Sequence, residues 1–473
     1  MNRFWKVSLV AVAVVIVALL VVYRAVNTVP DEDTLVEQVN EIFDDGGCIS
    51  CHSAAPALPF YATWPIVGDL VQKDSKDGYR AFDMVPMLNA LDALEDAADG
   101  DNIAGRSTEI HPVDLAKVEK VILDGRMPMA KYYLVHWGSS ITNAKKQIVL
   151  RWAESVRAGQ FAGHEGVAAE FANEPVRPVG TFKTDPAKVA LGFELFHDTR
   201  LSADNTVSCS SCHGLDTGGV DNKQYSEGVD GQLGGVNAPT VYNAAYNFVQ
   251  FWDGRAATLA LQAAGPPLNP VEMACESFDE IVAKFNADKD FVKRFTAVYP
   301  EGISEATITD AIEEFEKTLT TPDSRFDKYL KGDKAALTAQ EINGYELFKK
   351  YDCATCHNGV ILGGQTYELM GVRNDYFADR GLELTEEDNG HYKETKLEYD
   401  RHRFKTPGLR NVALTWPYYH DGSRTTLEDA VKDMAYYQGN HRLKAAEVAD
   451  ITAFLNTLTG EVDGKVLSNA NAK

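Results

Sequence analysis

Six of the seven cysteines fall into Cys-x-x-Cys pairs, and histidine follows each pair at once. The three strings are Cys48-Ile49-Ser50-Cys51-His52, Cys209-Ser210-Ser211-Cys212-His213 and Cys353-Ala354-Thr355-Cys356-His357. A shuffled chain with 7 Cys and 11 His would yield roughly 0.002 such strings, and the string is the attachment signature of c-type haem. The two thiols bond the macrocycle covalently, and the adjacent histidine reaches its iron. A zinc knuckle, a disulfide or a redox dithiol uses Cys-x-x-Cys without needing that histidine three times over. Three covalently bound haem c groups are therefore expected.

A flat macrocycle hidden from water needs helices on both sides, and the chain repeats such a unit. Before each motif comes an amphipathic stretch: Val39 to Phe43, Gly192 to Phe196, and Gly344 to Phe348. A second helical pattern closes each unit, at Ile148 to Val156, Ile308 to Leu319 and Val448 to Leu458. The middle unit carries an insertion, because Phe196 lies thirteen residues before its cysteine where Phe43 and Phe348 lie five before theirs. The predicted fold is mainly α, with three tandem cytochrome-c-like haem domains after an N-terminal transmembrane helix. The expected boundaries are 1–30 for the cytoplasmic N-terminus and anchor, 31–165 for a mono-haem domain, 166–335 for the second haem domain and 336–473 for the third. Within these, 158–186 and 321–338 have linker composition.

Val7 to Tyr23 is an uncharged apolar run, flanked by Arg3, Lys6 and the aromatic residues Phe4, Trp5 and Tyr23. Basic residues ahead of it predict a single-pass inner-membrane anchor with the body in the periplasm, where c-type haem is attached. The rival is a cleaved signal peptide, although cleavage after Ala25 would put bulky Tyr23 at the −3 position. The net charge of −23 argues against nucleic acid as a partner. The oligomeric state stays open, a homodimer being one alternative.

The sixth iron ligand decides whether a haem carries electrons or binds small molecules. In the first unit Gly125-Arg126-Met127-Pro128-Met129 offers Met127, with Met129 as the alternative. In the third, Met434 and Met370 are the candidates, and spacing favours Met434. The second unit has no methionine between Cys209 and Phe251, and its first, Met273, lies beside Glu272. Its iron has no evident protein ligand on the far face. Cys275 is expected to be an ordinary buried thiol. His111, His164, His197, His391, His402 and His441 show no partner pattern and read as surface or capping residues.

From about residue 176 onward the chain resembles the bacterial di-haem cytochrome c peroxidases. The likeness runs through Asn237-Ala238-Pro239-Thr240, Phe251-Trp252-Asp253-Gly254-Arg255-Ala256, Gln262, Gly265-Pro266, Asn269-Pro270-Val271-Glu272-Met273, Leu409-Arg410-Asn411-Val412, Pro417-Tyr418-Tyr419-His420-Asp421-Gly422 and Met434. With the extra haem unit and the anchor, the whole is similar to the tri-haem, membrane-bound quinol peroxidases. The resemblance implies that His213 is the proximal ligand of the peroxidatic haem and that Glu272 is the acid/base beside it, with Gln262 and Pro266 shaping the pocket. It makes His357 and Met434 the ligands of the electron-transfer haem and places Trp252 between the two. It also implies a calcium ion held by Asn237 and the carbonyls of Thr415 and Pro417, an all-oxygen set suited to that cation. His420 matches a family turn to which no role is given.

One departure carries weight. Many family members place on the peroxidatic iron a histidine that must leave on reduction. The matching residue is Val229, which cannot bind iron, so the site is expected to be open before any reduction.

The implied reaction is reduction of hydrogen peroxide to two waters, with Glu272 moving a proton between the two peroxide oxygens. Electrons are expected to enter at the Cys48 haem, pass to that of Cys353 and end at that of Cys209. The anchor favours membrane quinol as donor over a periplasmic cytochrome c. Trp64-Pro65, Tyr132-Tyr133 and His136-Trp137 are aromatic clusters able to line a quinol site, although core packing is the favoured reading of any single one. Two rival readings are a non-catalytic three-haem wire and a protein-modifying oxidase like the di-haem enzyme that matures methylamine dehydrogenase. The latter has tyrosine at the position of Met434.

Overall fold

The computed structural model describes residues 3–161 and 166–471. His164 and the middle of the 158–186 segment lie outside the described residues. Among the described residues the chain is mainly helical, with four short strands paired into two antiparallel ribbons. It divides into two compact units, residues 1–162 and 163–473.

The first unit opens with the helix Arg3–Val26, in which Ser8–Val26 has a mean hydropathy of 2.8 and no buried residue. That is long and apolar enough to cross a bilayer. Its end is latched to the loop at 137–140. Asn27 Nδ2 donates to the Trp137 carbonyl at 2.6 Å, Ser140 N–H donates to Asn27 Oδ1 at 3.0 Å, and Tyr23 and Ser140 share a hydroxyl bond at 2.8 Å. Behind it Leu35–Gly46, Val85–Ala98, Pro112–Leu123 and Asn143–Gln160 enclose a core of Val39, Ile42, Phe43, Leu91, Val118 and Trp152. Leu35–Gly46 begins at a reciprocal Thr34–Glu37 cap and ends at Gly47, whose φ of 62° suits glycine.

The second unit contains the same device twice. Pro186–Phe196 packs on Glu305–Glu316, and Ala339–Lys350 packs on Ala445–Asn456. Each pair touches backbone to backbone at a glycine. A Cβ on Gly192 would lie 1.9 Å from the Ala311 carbonyl oxygen, and one on Gly344 would lie 1.9 Å from that of Asp450. Four residues on, Phe196 meets Phe315 and Phe348 meets Phe454, both with ring centroids 5.3 Å apart. In the first unit Phe43 meets Trp152 edge-on at 6.2 Å. Each predicted helix is present with shifted ends: Glu305–Glu316 and Ala445–Asn456 start three residues early and stop short of Leu319 and Leu458, while the others extend beyond the apolar stretch, because capping residues set the ends.

One segment differs from expectation. The 321–338 stretch, with its Thr-Pro-Asp-Ser and Lys-Gly-Asp-Lys, is not a loose join. It contains the helix Arg325–Leu330, with Phe326 and Leu330 fully buried. Asp327 there forms a 2.7 Å ion pair with Arg410, both side chains being out of solvent. Breaking such a pair would leave a buried charge uncompensated, which typically costs about 3–5 kcal/mol. Met370 opens the turn that follows the strand Tyr367–Leu369, its N–H donating to the His402 carbonyl at 2.9 Å.

Candidate haem and peroxide site

The three Cys-x-x-Cys-His strings adopt one geometry. In each, the histidine N–H donates back to the carbonyl of the first cysteine, at 3.0 Å for His52 and His213 and 2.9 Å for His357. Each imidazole Nδ1 then faces a backbone carbonyl: His52 to Phe82 at 2.9 Å, His213 to Gly219 at 3.3 Å, His357 to Leu362 at 3.0 Å. A carbonyl only accepts, so Nδ1 carries the proton and Nε2 keeps its lone pair. That is the tautomer an iron ligand needs. Burial pushes the His213 and His357 imidazoles below their ordinary value, favouring the neutral ring.

None of the seven cysteines is bonded to another. Burial pushes the Cys48, Cys209 and Cys353 thiols up to about 12, and each packs against an apolar cluster of its own unit. Free paired thiols on one helical turn, an apolar wall and a fixed imidazole fit a covalently attached haem.

Glu272 lies beside the second motif. Its carboxylate is near enough to raise the Cys209 and Cys212 thiols. Asn269 Nδ2 donates to Glu272 Oε1 at 2.7 Å, and the Glu272 N–H returns a bond to the Asn269 carbonyl at 3.0 Å. Desolvation pushes the Glu272 carboxyl above its ordinary value, against the opposing pull of Arg255 and Asn269. Pro266 joins the same wall through its carbonyl, which accepts from Asn269 N–H at 3.1 Å. Gln262 lies one turn earlier, half-buried in the helix Leu259–Ala263. Met273 belongs to the apolar core with Cys275, Ile281 and Phe285.

Val229 is buried at the tip of a tight turn. Its N–H donates to the Glu272 carbonyl at 2.8 Å. Gly228 makes this approach possible, since a Cβ there would stand 2.3 Å from the Val271 oxygen and 2.4 Å from that of Glu272.

The 251–255 turn links this pocket to the third motif's unit. Arg255 lies over the Phe251 ring at 3.5 Å and pairs with Asp253 at 2.8 Å. Trp252 points the other way, into a cluster with Met370, Tyr376, Phe377, Phe404 and Met434. Its indole N–H donates to the Asn237 carbonyl at 2.9 Å, and Asn237 N–H donates to the His420 carbonyl at 2.8 Å. Met434 lies within the helix Leu427–Gly439, ahead of the closing helix. In the first unit Met127 and Met129 are both half-buried, just after the helix Pro112–Leu123.

Several groups were not singled out from sequence. Asn269 orients the Glu272 carboxyl, and its i, i+3 spacing was the available signal. Arg255 also acts on Glu272, and the signal for it was the family string Phe251 to Ala256 that contains it. His391 and His402 are not surface groups: His391 Nδ1 meets the Asp253 carbonyl at 2.6 Å, and His402 Nδ1 meets that of Asp388 at 2.7 Å. His111 is a capping residue, accepting from Val113 N–H at 3.3 Å. Cys275 is a buried thiol that donates to the Leu201 carbonyl. His420 is buried, with Nε2 2.8 Å from Asp388 Oδ1 and Arg380 clamping the same carboxylate.

Attachment strings on helical turns, each with a preset imidazole, together with a desolvated carboxyl beside one of them, define a haem-binding oxidoreductase. A haem-binding domain family matches residues 12–155, and the di-haem cytochrome c peroxidase family matches residues 186–335. Cytochrome c peroxidase Ccp of Escherichia coli strain K12 is 48% identical over 415 residues, covering 88% of this chain and 86% of that protein. Cytochrome c551 peroxidase of Nitrosomonas europaea is 46% identical over 312 residues, covering 65% of this chain and 90% of that one. A solved MauG-like protein associated with microbial copper homeostasis is 32% identical with a TM-score of 0.54, over 59% of this chain and 91% of its own. The chain belongs to the di-haem cytochrome c peroxidase family. It binds haem and is a haem peroxidase.

Proposed function

We propose that the protein reduces hydrogen peroxide in the periplasm, using electrons from membrane quinol passed through three c-type haems. One observation carries the peroxide step: beside the second motif stands a desolvated carboxyl, Glu272, with no methionine taking its place.

Haem bound at Cys209, Cys212 and His213 would supply an iron that takes peroxide and delivers electrons to it. The chain's own part is proton traffic. Glu272 takes a proton from one peroxide oxygen and returns it to the other, so that the departing group leaves as water. Burial raises its proton affinity, which helps it hold the proton between the two transfers, and such a group contributes about 10²–10⁴-fold. Asn269 fixes the rotamer of the carboxyl. Gln262 and Pro266 form the remaining wall. Val229 has no ligand atom, so it would not occupy an iron held there, oxidised or reduced.

Cys353, Cys356 and His357, with Met434, would hold the haem that relays electrons, with Trp252 beside it. Met434 and Trp252 share one apolar cluster, which favours this pairing. Cys48, Cys51 and His52, with Met127, hold the entry haem. A calcium ion on Asn237 Oδ1 and the carbonyls of Thr415 and Pro417 completes the reading. The Asn237 amide donates through Nδ2 to the Lys223 carbonyl at 2.9 Å, which turns Oδ1 away and frees it for a cation. The Arg3–Val26 helix supports retention at the inner membrane, and membrane retention supports quinol as donor.

Cyanide titration of the oxidised protein tests the open site: one haem of three is expected to bind it without pre-reduction. Three inert, six-coordinate haems would leave only an electron wire. Steady-state peroxide turnover with a short-chain quinol against reduced cytochrome c tests the donor, with quinol expected to be the better one.

A further inference from the structure

Outside the peroxide pocket, the first unit gathers a second set of chemistry-bearing side chains. Tyr61 Oη and His136 Nε2 share a short hydrogen bond. Tyr132 stacks on His136, with centroids 4.0 Å apart and planes 6° from parallel. The Tyr132 hydroxyl reaches the residue before Cys48, since a Cβ on Gly47 would lie 2.4 Å from that oxygen. The Cys51 thiol is near enough to both tyrosines to raise them. The cluster is thus at the edge of the first haem attachment site.

Its outer face is apolar and wet. Phe60 is 76% exposed, Trp64 53%, Ile66 84% and Val67 44%, and the Phe60 and Trp64 rings contact each other and Tyr61. A soluble surface seldom spends so much apolar area in one place. The next residue after His136 is Trp137, whose carbonyl accepts the Asn27 bond that latches the end of the Arg3–Val26 helix. The point where the chain leaves the bilayer and the aromatic cluster are therefore joined by one hydrogen bond.

We propose that Tyr61, His136 and Tyr132 form the site where a lipid hydroquinone is oxidised, with Phe60, Trp64 and Ile66 admitting its ring from the bilayer. This rests on the quinol reading above and locates it. The hydroquinone loses two O–H bonds and becomes the quinone. One proton passes to Tyr61 Oη as Tyr61 gives its own to His136 Nε2, and the second goes to water. Two electrons pass singly to the haem attached at Cys48 and Cys51, and peroxide is their final acceptor. Burial pushes the His136 imidazole below its ordinary value, so the ring is neutral and able to accept.

The test uses the full chain in phosphatidylcholine nanodiscs, mixed anaerobically with a short-chain ubiquinol or menaquinol analogue. The readouts are the rate of haem reduction and the binding of the oxidised quinone by tryptophan quenching. Haem content is first matched to wild type. His136→Gln is expected to slow reduction about 100-fold, the loss typical of a removed general base. Tyr61→Phe, which keeps the ring and loses the hydroxyl, is expected to slow it at least about tenfold. Lys73→Gln, on the solvent side of the neighbouring helix, is expected to keep the wild-type rate. If wild type is reduced by quinol and both site variants match it, this site is wrong and the donor reading stands. If wild type takes electrons from reduced cytochrome c and from neither quinol, the donor reading falls and the site with it.

Discussion

The Val229 N–H and the Glu272 carbonyl are the two ends of one 2.8 Å hydrogen bond. The turn whose side chain is proposed to leave the iron accessible is thus tied to the backbone of the residue proposed to move protons there. Opening the turn without disturbing Glu272 is not possible in this arrangement.

Replacing Glu272 with Gln keeps shape and removes the titrating oxygen. Peroxide turnover is expected to fall about 10²–10⁴-fold with haem staining unchanged. In wild type the acid limb of the rate should lie above the ordinary carboxylate value of about 4.3, because burial raises the Glu272 carboxyl. A pH–rate profile checks both, and turnover by the Gln variant within a few-fold of wild type would remove Glu272 from the mechanism.

Val229→His restores the ligand type that many relatives carry. The oxidised variant is expected to lose its high-spin haem signal and to show a lag in peroxide consumption that pre-reduction abolishes. Wild type should show neither. Electron paramagnetic resonance and stopped-flow mixing decide it, and a lag in wild type would contradict the reading.

Gly344→Ala forces a methyl group against the Asp450 carbonyl, and Gly192→Ala does the same at Ala311. Both are helical glycines, so higher helix propensity of alanine favours the change locally while the clash opposes it. Overpacking of this kind costs about 1–3 kcal/mol, and each variant should unfold at a lower temperature than wild type. Equal or higher unfolding temperatures by calorimetry would show that the helix pairs separate freely.

Glu316 is buried near Cys209, and desolvation pushes its carboxyl up to about 8. Unfolded, it would titrate near about 4.3. The folded state therefore keeps a proton that the unfolded state releases, a contribution intact below about pH 4 and lost as pH rises through 8. Glu316→Gln should be more stable than wild type above pH 8, with the difference fading towards pH 4. Denaturant midpoints at three pH values measure this; a difference that does not vary with pH would mean that Glu316 does not titrate on unfolding.

Much of this was legible in the sequence because haem attachment and helix pairing are written locally. Three contiguous strings name the attachment residues, and Phe43, Phe196 and Phe348 mark helices by periodicity alone. What stayed illegible depends on contacts across long separations. Arg410 holds Asp327 from 83 residues away, which makes a buried helix of a stretch composed like a linker. Tyr61 and His136 meet across 75 residues, so neither announces the other. Asn269 and Glu272 lie three apart, yet only the fold shows which oxygen is bonded.

The leading thiols of the three attachment strings, each pushed up to about 12, have a consequence for biogenesis. A thioether forms by adding sulfur across a vinyl group, and thiolate is the reactive species. At neutral pH a finished fold would offer almost none. Attachment is therefore favoured before these three sulfurs are packed against their apolar clusters.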